Sequence, residues 1–479
     1  MKKRMGAGAR AVGLGLACLA LGTAAKAATA AGENWPQWRG PLQNGVAPAA
    51  EPATTWSETN NVRWKVKIPG EGSATPLVWD DLVFLQTAIP TGKKPETPPA
   101  ETSEPSPNVR PESAGGAAPG GPGGGSGRGP GPGGRGGRFG GGPKPSEVYQ
   151  FAVVCLQRST GKVLWQQVAR EEVPHEGVRQ NEGTFASSSG VTDGKHVWAY
   201  FGSRGLYCYD SKGKLEWSQD LGKMRIAMGF GEGSSPTLYK DMLIVNWDNE
   251  DGSFITALDK NTGKTLWKEP REEPTSWSTP LLVDPEGKAQ VVVAATGKIR
   301  SYDPASGKLN WECGGLTRNV IPSPVADSDM VYCMSGFQGN SLLAIHLGRT
   351  GDLTGSDAIA WTHKKSTPYV PSPLLYNGKL YFYANNNAVL SCMEAKTGQV
   401  LVDAERIEGL QGVYASPLGA AGKVYLTGRN GVTVVLKQSD KVEVLATNRL
   451  EDKFDASPAA VGKDLFLRGR EYLYCIAEK

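Results

Sequence analysis

Seven residues stand at or just ahead of a recurring small-hydroxyl-proline signal, and their types are those of a ligand site. They are Glu71, Glu232, Trp277, Asn319, Tyr369, Tyr414 and Asp455. The stretch PHEGVRQNEG adds His175, Glu176, Asn181 and Glu182. Carboxylate and amide oxygens suit a hard cation, and aromatic rings suit a flat cofactor. Loops that converge on the axis of a repeat ring also present such groups with no ligand at all. The sequence favours that plainer reading, so these residues are cofactor candidates only, and no catalytic residue or metal ligand is assigned.

Other chemistries lack their residues. The hydroxyls at the signal are Thr75, Ser188, Ser235, Thr279, Ser323, Ser372, Ser416 and Ser457. No GxSxG or partnered histidine accompanies them, so they are not nucleophiles. Small side chains are expected where inner strands crowd an axis, with the hydroxyls satisfying local backbone groups. His196 and His346 sit inside strand patterns, and His363 follows Trp361 at the end of a repeat. No HxH, HExxH or CxxC spacing supports zinc. The GSRG around Arg204 reads as a hairpin turn from which the guanidinium can project to a ligand.

The elements that must position these residues are repeats. The signals are SATP (73–76), ASSS (186–189, without the proline), GSSP (233–236), WSTP (277–280), IPSP (321–324), VPSP (370–373), YASP (414–417) and DASP (455–458). From Pro236 onward they recur every 41 to 49 residues. That spacing is the ~40–50 residue period of four-stranded propeller blades. Each repeat runs through apolar strands rich in Val, Tyr, Leu and Thr to a turn and a tryptophan: STGKVLW, SKGKLEW, NTGKTLW and ASGKLNW, ending at Trp165, Trp217, Trp267 and Trp311. A wide flat side chain there is expected to wedge between blades. The eighth repeat stops short of its last strand, and NVRWKVKI (61–68) supplies it, with Trp64 in the tryptophan place. The expectation is an all-β, eight-bladed β-propeller of four-stranded antiparallel blades, closed by its N-terminal strand so that no long edge is left open.

Met1–Ala27 has the basic start, apolar middle and small-residue end of a signal peptide. A second cleavage option follows Ala30, and the residues before Cys18 make a poor lipobox. Removing five basic residues with the leader takes the formal charge from +4 to −1. A near-neutral chain makes no case for nucleic acid or an anionic membrane surface. No later run is apolar enough to span a bilayer. Residues 28–60 read as an extended segment held by Trp35 and Trp38, and residues 90–147 as a disordered Gly/Pro-rich insert in the first blade. The insert carries 7 basic and 5 acidic residues, so its RGG-like character reads as a surface loop and not an RNA site. Six cysteines follow the leader; Cys313 and Cys333 are the pair to examine for a disulfide.

The SxP starts with AxDxxTGKxxW exits resemble the pyrroloquinoline quinone (PQQ)-type repeat of eight-bladed quinoprotein propellers, over residues 61–479 apart from the insert. WPQWRGP, SRGLYCYD and TSWSTP look like the exported PQQ-like propellers of planctomycete-type bacteria. The resemblance implies two branches: dehydrogenases of alcohols or sugars using PQQ and Ca²⁺, and protein-binding scaffolds like the outer-membrane assembly lipoprotein BamB. A vicinal Cys-Cys pair, CxxCH and most of the long insertions that roof the enzyme pocket are lacking. The expected role is therefore a non-catalytic scaffold for envelope or secreted proteins, without cofactor, exported to the periplasm or beyond, and monomeric. The alternatives are a PQQ/Ca²⁺-dependent dehydrogenase and a polysaccharide-binding module using exposed Trp and Tyr.

Overall fold

The computed structural model describes residues 33–95 and 141–478. The expected leader, 1–27, and residues 96–140 of the expected insert lie outside the described residues. Eight antiparallel sheets follow one another along the chain. In blade 3 the strands are Thr237–Tyr239, Met242–Trp247, Ser253–Asp259 and Thr265–Arg271, from axis to rim. The two middle strands are buried along nearly their whole length, whereas the outer one alternates. Middle strands are sandwiched between neighbouring blades and need apolar residues on both faces. The rim strand is the most exposed of the four.

The rim explains why the turn signal is so regular. In blade 3 the Asp259 carboxylate accepts the N–H groups of Asn261 and Thr262 and the Thr262 hydroxyl, fixing the turn. Gly263 then takes φ +71°, and a Cβ there would lie 2.5 Å from the Trp217 ring of blade 2. The indole N–H of Trp217 donates to Lys260 O in the same turn at 3.0 Å. Trp64, Trp165, Trp267 and Trp361 likewise donate to Arg158, Ser211, Pro304 and Ala395 carbonyls of the next blade. Each indole is wedged between blades as expected, and removes roughly 150–250 Å² from water.

Trp311 departs from the rule. Blade 5 replaces the tight turn with GRTGDLTGSD, and its Gly351–Asp352 pairs in parallel with Leu309–Cys313 of blade 4. Trp311 is buried beneath this strip and donates to Gln290 Oε1 within its own blade.

The ring closes as the sequence implies. Val62–Lys67 pairs antiparallel with Tyr472–Ile476, setting Trp64 opposite Cys475. Buried Asp464 then ties the seam, bonding Arg63 at 2.6 Å and Arg158 of blade 1 at 2.8 Å.

At the axis the signal hydroxyls form a second ring. The N–H of Thr75 donates to Ser189 Oγ, Ser189 to Ser235, Ser235 to Thr279, Thr279 to Ser323, Ser323 to Ser372, Ser372 to Ser416 and Ser416 to Ser457. The Thr75 hydroxyl completes the circle by donating to Ser457 O at 3.1 Å. Two expectations change here. The hydroxyls serve the neighbouring blade and not their own local backbone, and blade 2 uses Ser189, not Ser188, with Gly190 standing where the proline would be.

The N-terminal segment crosses one end of this axis. Trp35 pairs with Val78 of blade 1, Pro36 O accepts Thr192 N of blade 2, Gln43 Oε1 accepts Leu282 N of blade 4, and Ala47 N donates to Gly419 O of blade 7. Arg39 lies buried among them, donating to Pro417 O at 2.9 Å and Pro373 O at 2.5 Å. Gly45 (φ +87°) gives it room, since a Cβ there would fall 2.4 Å from the guanidinium. The channel is thereby a cup with a floor.

The first-blade hairpin runs further than the expected insert boundary: Leu82–Pro90 pairs with Tyr149–Gln157, and Thr91 N still donates to Val148 O. The six described cysteines are buried and free; Cys313 and Cys333 share one core cluster between blades 4 and 5 but are not joined.

Candidate functional site

The cup opens opposite the N-terminal floor and encloses about 190 Å³. Five aromatic rings from five segments line it: Trp38 of the N-terminal segment, Phe230, Trp277, Tyr369 and Tyr414. The crown hydroxyls of Ser235, Thr279, Ser416 and Ser457 form its lower wall. Two connections roof the mouth, residues 173–190 between blades 1 and 2 and residues 220–236 between blades 2 and 3. They brace each other: His175 Nε2 bonds Met224 O at 2.7 Å, and Glu176 accepts Ile226 N at 3.1 Å. The first reaches across the mouth, where the Asn181 carbonyl accepts from both Arg429 of blade 7 and Arg470 of blade 8.

The structure brings together Glu232, Trp277, Tyr369, Tyr414 and Asp455 of the sequence-derived set. Asn319 stands behind them, hydrogen-bonding the Tyr369 phenol. Asn181 contributes its backbone carbonyl at the rim, with φ +62°. Glu71 and His175 do not join: Glu71 is exposed in a bridge with Ala88, and His175 is a roof brace. Burial pushes the Tyr369 and Tyr414 phenols up from their ordinary values, and for Tyr414 the Glu182 carboxylate that accepts its proton adds to the effect.

Each carboxylate facing the cup already has a cationic partner. Glu232 accepts Arg204 at 2.7 Å and Ser203 N at 2.7 Å. Asp455 lies between Arg429 at 2.5 Å and Arg470 at 3.2 Å. Glu182 pairs with Arg179 at 2.9 Å. The arginines were the part that sequence reasoning missed, Arg204 apart. A signal was available: FGSRG, TGRNG and RGREY place Arg204, Arg429 and Arg470 in the same hairpin turn of blades 2, 7 and 8.

This donor set does not fit a calcium-bound quinone. Ca²⁺ takes roughly six to eight oxygens, and among the described residues no three His, Cys, Asp or Glu side chains converge. A guanidinium on every carboxylate repels a second cation.

Residues 150–404 match the family described as outer membrane protein assembly factor BamB. Among curated proteins, tetrathionate hydrolase of Acidianus ambivalens is 26% identical over 120 residues, which span 22% of this chain and 22% of that protein. Among solved structures, quinohemoprotein alcohol dehydrogenase from Comamonas testosteroni is similar with a TM-score of 0.59 at 11% identity, covering 96% of this chain and 85% of that one. BamB from Moraxella catarrhalis gives a TM-score of 0.47 at 15% identity, over 70% of this chain and 90% of that one. Such identities carry fold and say nothing of activity. No helix among the described residues is long and apolar enough to cross a membrane.

Proposed function

The chain belongs to the family described as outer membrane protein assembly factor BamB, and from that premise we propose that it is an exported, non-catalytic protein-binding scaffold of the cell envelope, working without PQQ or calcium. The observation that carries this reading is the pairing of Glu232, Asp455 and Glu182 with arginines. A dehydrogenase needs a carboxylate free to take the substrate's hydroxyl proton and a cation to polarise the quinone. Here the carboxylates are engaged and the space above the crown is narrow. The roof loops and the exposed turns around the mouth supply the polar, aromatic surface that partners use. Export by residues 1–27 belongs to the same proposal.

The test is to add PQQ and Ca²⁺ to the purified protein and follow melting and dye reduction with a panel of alcohols and sugars. The scaffold reading expects neither a thermal shift nor turnover. A shift with turnover, both lost in Glu232→Ala, would overturn it.

A further inference from the structure

The wall of the axial cup is rich in unspent hydrogen-bond donors. In the crown, Ser189, Ser235, Thr279, Ser323, Ser372, Ser416 and Ser457 each accept one N–H through the side-chain oxygen. None of these hydroxyls donates to another described group, although each carries one O–H. Four of them, buried residues all, face the cavity. A buried donor with no acceptor costs about 1–3 kcal/mol, so the four that face the cavity call for an acceptor in the cup.

Charge points the same way. Pro373 and Pro417 directly follow the crown residues Ser372 and Ser416, and their carbonyls hold Arg39 immediately beneath. The third acceptor of that guanidinium is Asn44 O at 2.9 Å, and its Nε has no partner among the described residues. No carboxylate among the described residues pairs with it. At the mouth Asp455 is shared by two arginines. The three carboxylates that line the cup, Glu182, Glu232 and Asp455, are all ion-paired, so none is left free to repel an anion. Above the crown the walls are the rings of Phe230, Trp277, Tyr369 and Tyr414, with Trp38 on the floor.

We propose that the axial cup binds a small aromatic carboxylate, its acid group on the hydroxyl crown and its ring against Trp277, Tyr369 and Tyr414. Flat rings pack well against aromatic walls, and an ionised acceptor gains more than a neutral one from each donor. The volume of about 190 Å³ limits the ligand to one ring system with a short acid arm. This site lies inside the ring and is independent of whatever binds the outer surfaces.

Titration calorimetry on the whole mature protein tests it, using 4-hydroxyphenylacetate and indole-3-acetate, their matched amides, and hexanoate. The acids are expected to bind, with the amides and hexanoate weaker by about tenfold or more. Thr279→Val, which removes one crown hydroxyl and with it the acceptor of Ser235 N–H, is expected to weaken the acids by about three- to tenfold and the amides, whose carbonyls accept less strongly, by less. If that variant does not fold, the acid-to-amide comparison on the unaltered protein carries the test alone. Equal binding of acid and amide, equal binding of hexanoate, or no binding of any probe (a crown satisfied by water only) would overturn the proposal. None of these outcomes bears on partner capture or on the PQQ test, so the two readings fail separately.

Discussion

The rim and the mouth of this propeller are built from the same repeats, yet they differ in what the repeats keep constant. At the rim, Trp64, Trp165, Trp217, Trp267 and Trp361 make one interaction five times over: an indole on a turn glycine, its N–H on a turn carbonyl. At the mouth the corresponding loops carry Glu232, Trp277, Asn319, Tyr369, Tyr414 and Asp455, and no two make the same contacts. Interactions that hold a ring recur from seam to seam. Those that recognise something else have no reason to repeat. The contrast separates architecture from function without appeal to any relative.

Substitutions can break this contrast, and the largest effect belongs to closure. Deleting residues 56–68 removes the fourth strand of blade 8 and the Asp464 tie, and is expected to lower the melting temperature by on the order of 10 °C or more. A deletion that melts like the parent would refute closure by this strand. Trp217→Ala should cost about 3–5 kcal/mol in denaturant unfolding, as large-to-small changes at packed sites do. Glu232→Ala is expected to cost about 1–3 kcal/mol, because it leaves the buried Arg204 guanidinium with only the longer Glu172 contact at 3.6 Å. Its loss is one of folding, to be read as a melting shift that is the same with and without ligands.

The glycines sharpen the comparison. Gly263 and Gly355 share φ near +70°, but only Gly263 lies under a tryptophan; a Cβ at Gly355 meets nothing within 4 Å. Gly355→Ala should cost the conformational penalty of about 1–2 kcal/mol alone, and Gly263→Ala clearly more. Equal costs in parallel urea titrations would mean that the indole contact adds nothing. The smallest effect is expected at the mouth: Tyr414→Phe should cost about 0.5–1.5 kcal/mol through the lost bond to Glu182, while any ligand or partner affinity that uses the mouth changes.

The rim was legible in the sequence because its logic is local. Asp, Thr and Gly of the turn lie within a few residues of each other, and the tryptophan follows at fixed spacing. The crown was legible as small hydroxyls, but its hydrogen bonds link blades 41 to 382 residues apart, and spacing alone misassigned Ser188 for Ser189 where Gly190 replaces proline. The floor left no periodic trace: nothing in ENWPQWRGP says that Arg39 will sit beneath Ser372 and Ser416. The mouth was half legible. Its acids and rings stand beside the repeat signal, whereas Arg429 and Arg470, which neutralise Asp455, sit in hairpin turns where arginine is unremarkable.

The central claim is that the mouth carboxylates are held by arginines and are closed to a hard cation. Titrating Ca²⁺ into the metal-free protein by calorimetry tests it directly. The account predicts no stoichiometric heat of binding up to millimolar concentration. A one-to-one site of micromolar affinity, lost in both Glu232→Gln and Asp455→Asn while the proteins stay folded, would contradict it.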